Sequence, residues 1–485
     1  MARKVSDFLI YRWRYFFGYT LLVLAVGATV AVAGLYIPGE LRQAEIDSAM
    51  KSTELSISSL TPDMVVNLPY HGLQRVAFEI FGISTLTIKL PSLIIGTLTA
   101  LGIFLLLRTW FRRNIAVIVA LLMTTSTQFL FLVQDGTPLI MHGFISVWLL
   151  FAAMYVTRLK LFSTFWKVLT GVLMAISFYI PFGVYLVAAM LITMLFHPHV
   201  RHIVKQFPRA KLTVAFILGL ASLVPVVYAS TMNPQIALQL LGIPLNFDNL
   251  PSTAVSTFIS MFGFFSPSTD GIIQPLYSMG ITVLIALGVY KLVTYKYTAR
   301  SYIVSIWTPV LLVLTLIGPG SGTVLFPAAV ILVASGISML ITDWYKLFPR
   351  NPYARIAGLV PLSVVVVGIM ASGIVRYVNN YQYNDSLLAH YSKDLSIIKT
   401  EAAKSDTFTL VASEHEKDFY NAVSHYHRPE GKMVVIAPEQ PLPDTKSFAV
   451  TRQARIDRDI TGEPVVIITN SRAADADRLY IYSAE

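Results

Sequence analysis

The stretch "FFGYTLLVLAVGATVAVAGLYIPGELRQAEIDSAMKS", residues 16–52, runs from a long apolar segment straight into four charged groups, Glu40, Arg42, Glu45 and Asp47. About 20 consecutive apolar residues cross a bilayer as a helix, so 16–37 reads as a first span. The charges behind it have two readings. They form a solvated anchor that stops the span from sliding, or they fold back over the membrane surface and carry chemistry.

The apolar pattern recurs at 91–107, 114–133, 138–157, 165–180, 183–197, 212–231, 275–291, 302–318, 322–341 and 357–377, which brings the expected spans to eleven. Only 13% of the residues are charged and 55% are hydrophobic, against about 25% charged in soluble domains. The absence of cysteine excludes disulfides, thiol chemistry and cysteine-based metal sites. The net charge of +10 is a matter of topology. Six short segments ("MARKVSDFLIYRWR", "LLRTWFRRN", "RLKLFSTFWK", "HPHVRHIVKQFPRAK", "YKLVTYKYTAR" and "DWYKLFPRNPYAR") hold twenty Lys and Arg, with only Asp7 and Asp343 as acids. Short connections on the other side hold none. By the positive-inside rule the N-terminus is cytoplasmic and the C-terminus outside. The first span lacks a small-residue cleavage site and reads as a retained anchor. No nucleic-acid partner is implied.

Two outer segments are long, 38–90 and 232–274. The second is apolar but broken by Pro, Gly and Asn, and predicts short helices in the outer interface. No internal repeat is evident, which weighs against an inverted-repeat transporter. Composition changes near 378. The division is therefore a membrane domain, 1–377, and an extracytoplasmic part, 378–485. In the latter a helical stretch, 384–404, leads to strand-length runs such as "TFTLVA", "MVVIA" and "PVVIITN". Ser413 and Glu416 form a capping-box pattern, and His425 with His427 are an isolated metal-ligand pair with no third ligand in view. The expected fold is mainly α, a polytopic transmembrane bundle with a small α/β domain outside the membrane. That domain shows no catalytic signature and reads as separable from any chemistry in the bundle.

Within the first outer segment, Glu40, Arg42, Ala44, Glu45, Ile46 and Met50 keep the pattern E-x-R-x-A-E-I-x-x-x-M. This resembles the first periplasmic loop of the aminoarabinose transferases. "NLPYHGLQRVAFEIFGISTLTIKLPSLI" resembles the landmarks that precede the second span in that family. Over residues 10–160 the chain looks like a GT-C membrane glycosyltransferase, a superfamily that includes the protein O-mannosyltransferases. The resemblance implies a polyprenyl-phosphate-linked sugar as donor and a central role for an acid of the first outer loop. Three departures stand out: Gly39 where the family has Asp, Asn67-Leu68-Pro69-Tyr70 at a landmark that often carries a basic residue, and "GSGTVLFP" in place of an Arg-Tyr.

Moving a sugar from a lipid phosphate to a hydroxyl needs a base for the acceptor and positive charge for the leaving phosphate. Glu40, nearest the bilayer, is the first candidate for the base, followed by Glu45. In a helix Glu45 and Asp47 point to nearly opposite sides, which leaves Asp47 a weak third. Arg42, His71 and Lys89 are candidates for the donor phosphate, although Arg42 can simply pair with Glu45 and Lys89 can snorkel at the interface. Asp135 in "QDGTPLIMHG" either lines the site or caps a helix, and Tyr70 is a site-lining candidate. His142 reads as a buried histidine, and Asp248 and Asp270 as loop caps. No carboxylate cluster demands a metal, and a divalent cation (Mg or Mn) is the only cofactor left open. The expected enzyme is an inverting glycosyltransferase of the plasma (inner) membrane that acts on its outer face. Its partners are the polyprenyl-phosphate sugar, membrane lipids, and an acceptor lipid, glycan or protein. The alternatives are a non-catalytic scaffold and a lipid-linked-saccharide transporter.

Overall fold

The computed structural model describes residues 9–35, 40–56, 61–158, 163–206, 209–244, 250–263, 271–295, 298–318, 322–348, 352–404, 407–426, 432–441, 447–457, 463–469 and 477–483. Gly39, Asp248, Asp270, residues 319–321 and His427 lie outside the described residues.

Each expected apolar segment is helical. Among the described residues five helices are long and apolar enough to cross a membrane, or up to seven if each of two bent pairs is one span. In a bilayer the backbone must satisfy its own hydrogen bonds, which is why these runs are helices. Phe326–Leu347 runs through the centre of the bundle with residues 326–337 almost wholly buried. Pro352–Tyr383 turns Val360, Val364, Val365 and Val367 outward instead, an apolar face suited to lipid.

The segment expected as one span over 114–133 is broken. Arg113–Thr124 and Thr127–Gln134 meet at 63°. The reason lies in the run Thr124-Thr125-Ser126-Thr127. The Thr124 and Thr125 hydroxyls donate back to the carbonyls of Ala120 and Leu121 at 2.7 and 2.9 Å. Ser126 then caps the next helix, its Oγ accepting from Phe129 N. Hydroxyl side chains compete with the backbone ladder in this way and bend helices. The bend swings Gln134 and Asp135 against the start of Thr85–Trp110.

The first loop lies across this end of the bundle. Leu41–Arg42 is a short strand, followed by the helix Gln43–Glu54. The next helix, Leu68–Phe81, buries Tyr70, His71, Gln74, Ala77 and Phe78 and exposes Leu73, Val76, Ile80 and Phe81. The second long segment forms short helices, as its sequence predicts, at Pro234–Leu241 and Leu250–Phe262.

The C-terminal part holds a five-stranded sheet in the order Lys432–Ile436, Thr407–Val411, Ser447–Thr451, Asp477–Ser483, Val466–Thr469. The first three strands are parallel, and Asp477–Ser483 runs antiparallel to both of its neighbours. Ser413 stands at the N-cap of Glu414–His425, but the capping box does not close. The Ser413 hydroxyl makes no cap bond, and Glu416 also accepts from the Thr451 hydroxyl at 2.7 Å. The helix expected over 384–404 is likewise divided, into Asp385–Leu388 and Asp394–Ala402, because Tyr391–Ser392 leaves it to pair with Leu41–Arg42. One apolar core then joins both regions. Leu41, Ala49, Phe78, Ile83 and Ile88 of the N-terminal part pack with Leu395, Ile398, Phe408, Leu410 and Phe419. The sheet therefore shares one core with the first loop, while a second core of Val411, Phe448, Val450, Ala454, Tyr480 and Tyr482 lies wholly within the C-terminal part.

Candidate active site

The site is built on the turn from strand to helix at Arg42. The backbone N of Arg42 donates to Glu45 Oε2 at 2.8 Å, which closes the first turn of Gln43–Glu54. The other oxygen, Oε1, accepts from Gly136 N at 2.6 Å and lies 3.5 Å from Lys89 Nζ. Glu45 thus ties the loop to the ends of two spans at once. Lys89 Nζ also donates to Gln134 Oε1 at 2.8 Å. The Arg42 guanidinium pairs with Asp135, and its carbon lies 5.0 Å from the centre of the Phe131 ring. Asp135 in turn accepts from the Thr137 hydroxyl. Glu40 forms a third pair, with Lys393 Nζ at 2.9 Å from its Oε1.

Burial makes these pairs consequential. Glu45 and Asp135 are 0% exposed, Glu40 2%, Lys89 3% and Arg42 6%. An isolated buried charge is very costly, so the arrangement persists because cation and carboxylate alternate. Burial pushes the Glu45 carboxyl up from its ordinary value, while Lys89 pulls it back down.

A roof of tyrosines covers Arg42. Its strand partner is Tyr391, whose hydroxyl donates to the Gly271 carbonyl at 3.1 Å, as does that of Tyr381 at 3.2 Å. Gly271 adopts φ +71°, and a Cβ there would come within 2.7 Å of Arg42 Cδ. Only glycine satisfies both demands without strain.

Behind the charges lies a polar layer. Gln74 Nε2 donates to the Ile88 carbonyl at 2.9 Å and the Gly136 carbonyl at 3.3 Å. Its Oε1 accepts from Ser52 Oγ at 2.6 Å, and Ser52 is also 2.9 Å from His71 Nδ1. Burial and then the nearby Lys51 push His71 down to about 4. Tyr70 is fully buried, with its hydroxyl 2.8 Å from Ser92 Oγ.

Of the residues singled out in the sequence, Arg42, Glu45, Lys89 and Asp135 come together, with Glu40 beside them. Tyr70 and His71 brace the layer behind and do not line the cluster. Lys89 does not snorkel; it is turned inward. Arg42 takes Asp135 as its ionic partner, and Glu45 accepts only its backbone N–H. Asp135 ends the helix Thr127–Gln134 and aims at Arg42, so it is an ion-pair residue and no N-cap. Asp47 is exposed and accepts from Gln43 Nε2 at 2.9 Å. His142 is buried near Trp307, with ring centres 6.2 Å apart. Sequence reasoning missed Lys393, Tyr391, Gly271 and Gln74. Gln134 lay in the stretch quoted for Asp135 and carried a signal, being a polar residue at the end of an apolar run. The others are set by contacts across long sequence separations and carry none.

Among the described residues no three His, Asp or Glu groups gather as a metal site. Glu45 and Asp135 are already engaged by Arg42, Lys89, Thr137 and backbone N–H groups.

The sequence profile of the family described as dolichyl-phosphate-mannose-protein mannosyltransferase matches residues 70–228. The crystal structure of ArnT from Cupriavidus metallidurans bound to undecaprenyl phosphate is similar over 95% of this chain and 98% of its own, with a TM-score of 0.55 and 11% identity. The apo form of the same protein gives a TM-score of 0.56 and 12% identity, over 96% of this chain and 98% of that one. The apo oligosaccharyltransferase of Archaeoglobus fulgidus gives 0.53 and 14%, over 89% of this chain and 65% of its own. The chain has the fold of these structures. A search of curated protein sequences gives no match. The ArnT likeness covers both the bundle and the C-terminal sheet.

Proposed function

We propose that the chain is an inverting membrane glycosyltransferase that moves a sugar from a polyprenyl-phosphate donor to an acceptor hydroxyl on the outer face of the membrane. The observation that carries this reading is the buried alternation of Glu40–Lys393, Arg42–Asp135 and Lys89–Glu45 where the first loop meets the ends of two spans. Such a cluster has no role in a plain anchor, which needs only solvated charges. Glu40 takes the proton of the acceptor hydroxyl, whose oxygen bonds to the anomeric carbon. The bond from that carbon to the phosphate oxygen breaks, and its electron pair leaves with the phosphate. Arg42 and Lys89 supply positive charge to the leaving group, in a site where low dielectric strengthens their effect. Glu45 and Asp135 hold those cations in place. Glu45 is fully enclosed and satisfied by two backbone N–H groups, which suits it to positioning better than to proton transfer.

The test is to incubate the purified protein with a panel of polyprenyl-phosphate sugars and to measure released polyprenyl phosphate. Release from at least one donor, dependent on an acceptor, supports the reading. No release from any member of a broad panel, by a protein shown to be folded, would sink it.

A further inference from the structure

A carboxylate on a short loop serves as a base only if it is held in place. Lys393 reaches Glu40 from the C-terminal part of the chain. Its own backbone is fixed on both sides. On one side, Tyr391 and Ser392 pair with Arg42 and Leu41 in antiparallel register, and the Tyr391 ring is buried against Tyr381 at 5.6 Å between centres. On the other, Asp394 N donates to Ser392 Oγ at 3.1 Å, and the Asp394 carboxylate lies 3.1 Å from Arg478 Nε on strand Asp477–Ser483. The Lys393 side chain remains 35% exposed while its Glu40 partner is 2% exposed. A solvated ammonium reaching a buried carboxylate costs little desolvation of its own and still offsets the burial of its partner.

Resting on the glycosyltransferase reading, we infer that Lys393 is a positioning residue. It holds the Glu40 carboxylate ionised and in one orientation for the acceptor proton, and thereby makes the C-terminal segment a working part of the site. The fold supports this role through two independent connections, the strand bridge and the ion pair. The bridge fixes the backbone of residues 41–42, and Lys393 fixes the side chain one residue before it.

The experiment compares Lys393→Gln and Lys393→Arg with the native protein. For the step in which the acceptor is deprotonated, Lys393→Gln should lower kcat about 10- to 100-fold, less than loss of the base itself. The KM for the polyprenyl-phosphate donor should stay within about twofold. Lys393→Arg keeps the charge and should recover most of the rate. A general loosening of the fold would move KM and melting temperature together and would not be rescued by charge alone. Hydrogen exchange provides a readout that does not depend on turnover. Amides of residues 40–45 should exchange faster in Lys393→Gln than in the native protein, and at native rates in Lys393→Arg. If the native protein releases no polyprenyl phosphate, the glycosyltransferase reading fails. The exchange measurement then still decides whether Lys393 holds the loop. Unchanged kcat in Lys393→Gln, or unchanged exchange at 40–45, overturns the inference.

Discussion

At the scale of single residues, the two leading acids have different surroundings and should fail differently. Glu40→Gln keeps size and hydrogen bonding but removes the proton acceptor, so donor turnover should fall by about 10²–10⁴-fold, with the melting temperature little changed. Glu45→Gln removes the counter-ion of Lys89, and breaking a buried pair costs about 3–5 kcal/mol. Its melting temperature and activity should therefore fall together. A Glu45→Gln protein that melts normally yet is inactive would transfer the role of base to Glu45. Asp47→Asn, on the exposed side of the helix, should leave both turnover and melting unchanged. The separation of Glu45 from Asp47 was legible from helical spacing alone. The partners were not, because Arg42, Lys89 and Asp135 offer charge in the sequence but no indication of which carboxylate each would meet.

At the scale of elements, the helix Leu68–Phe81 carries a titratable group with a definite sign. Burial, with Lys51 nearby, lowers His71 from its ordinary 6.5 to about 4. The folded state thus prefers the neutral ring, while the unfolded chain takes up a proton near 6.5. Stability from this group is complete above that value and is lost as pH falls from 6.5 toward 4, by on the order of 3 kcal/mol in all. Melting temperatures of the detergent-solubilised protein should fall over this window, and His71→Asn should flatten the slope. An equal slope in both proteins would place the titration elsewhere. The broken segment after Arg113 gives a second expectation. Ser126→Ala removes the cap of Thr127–Gln134 and should cost about 1 kcal/mol, read as a lower melting temperature. Helices were legible because apolar length predicts them, whatever they pack against. The break was not, because four hydroxyl residues barely interrupt an apolar run, although their back-bonding to carbonyls is a signal that such a run carries.

At the scale of the whole molecule, sidedness and the shared core can be tested separately. Because the chain contains no cysteine, single cysteines at the exposed positions 112 and 418 report cleanly. An impermeant reagent should label position 418 and spare 112 in intact cells, and the reverse would invert the expected topology. Deleting 405–485 would strip Phe408, Leu410 and Phe419 from the core that holds Leu41, Ala49 and Ile88. The truncated protein should lose donor cleavage, and its first loop should become sensitive to protease. Retained cleavage would restore the separable domain that composition alone suggests. The pairing of residues 41–42 with 391–392 has a further meaning in time. The two strands lie about 350 residues apart, and synthesis proceeds at roughly 5–20 residues per second, so some 20–70 s pass between them. During that interval every span is made and inserted while the first loop waits without its partner strand, with Glu40 still unmet by Lys393. A nascent chain arrested before Tyr391 should therefore expose this loop to protease, and full-length release should protect it. The order of manufacture itself keeps the site incomplete until the spans have been made.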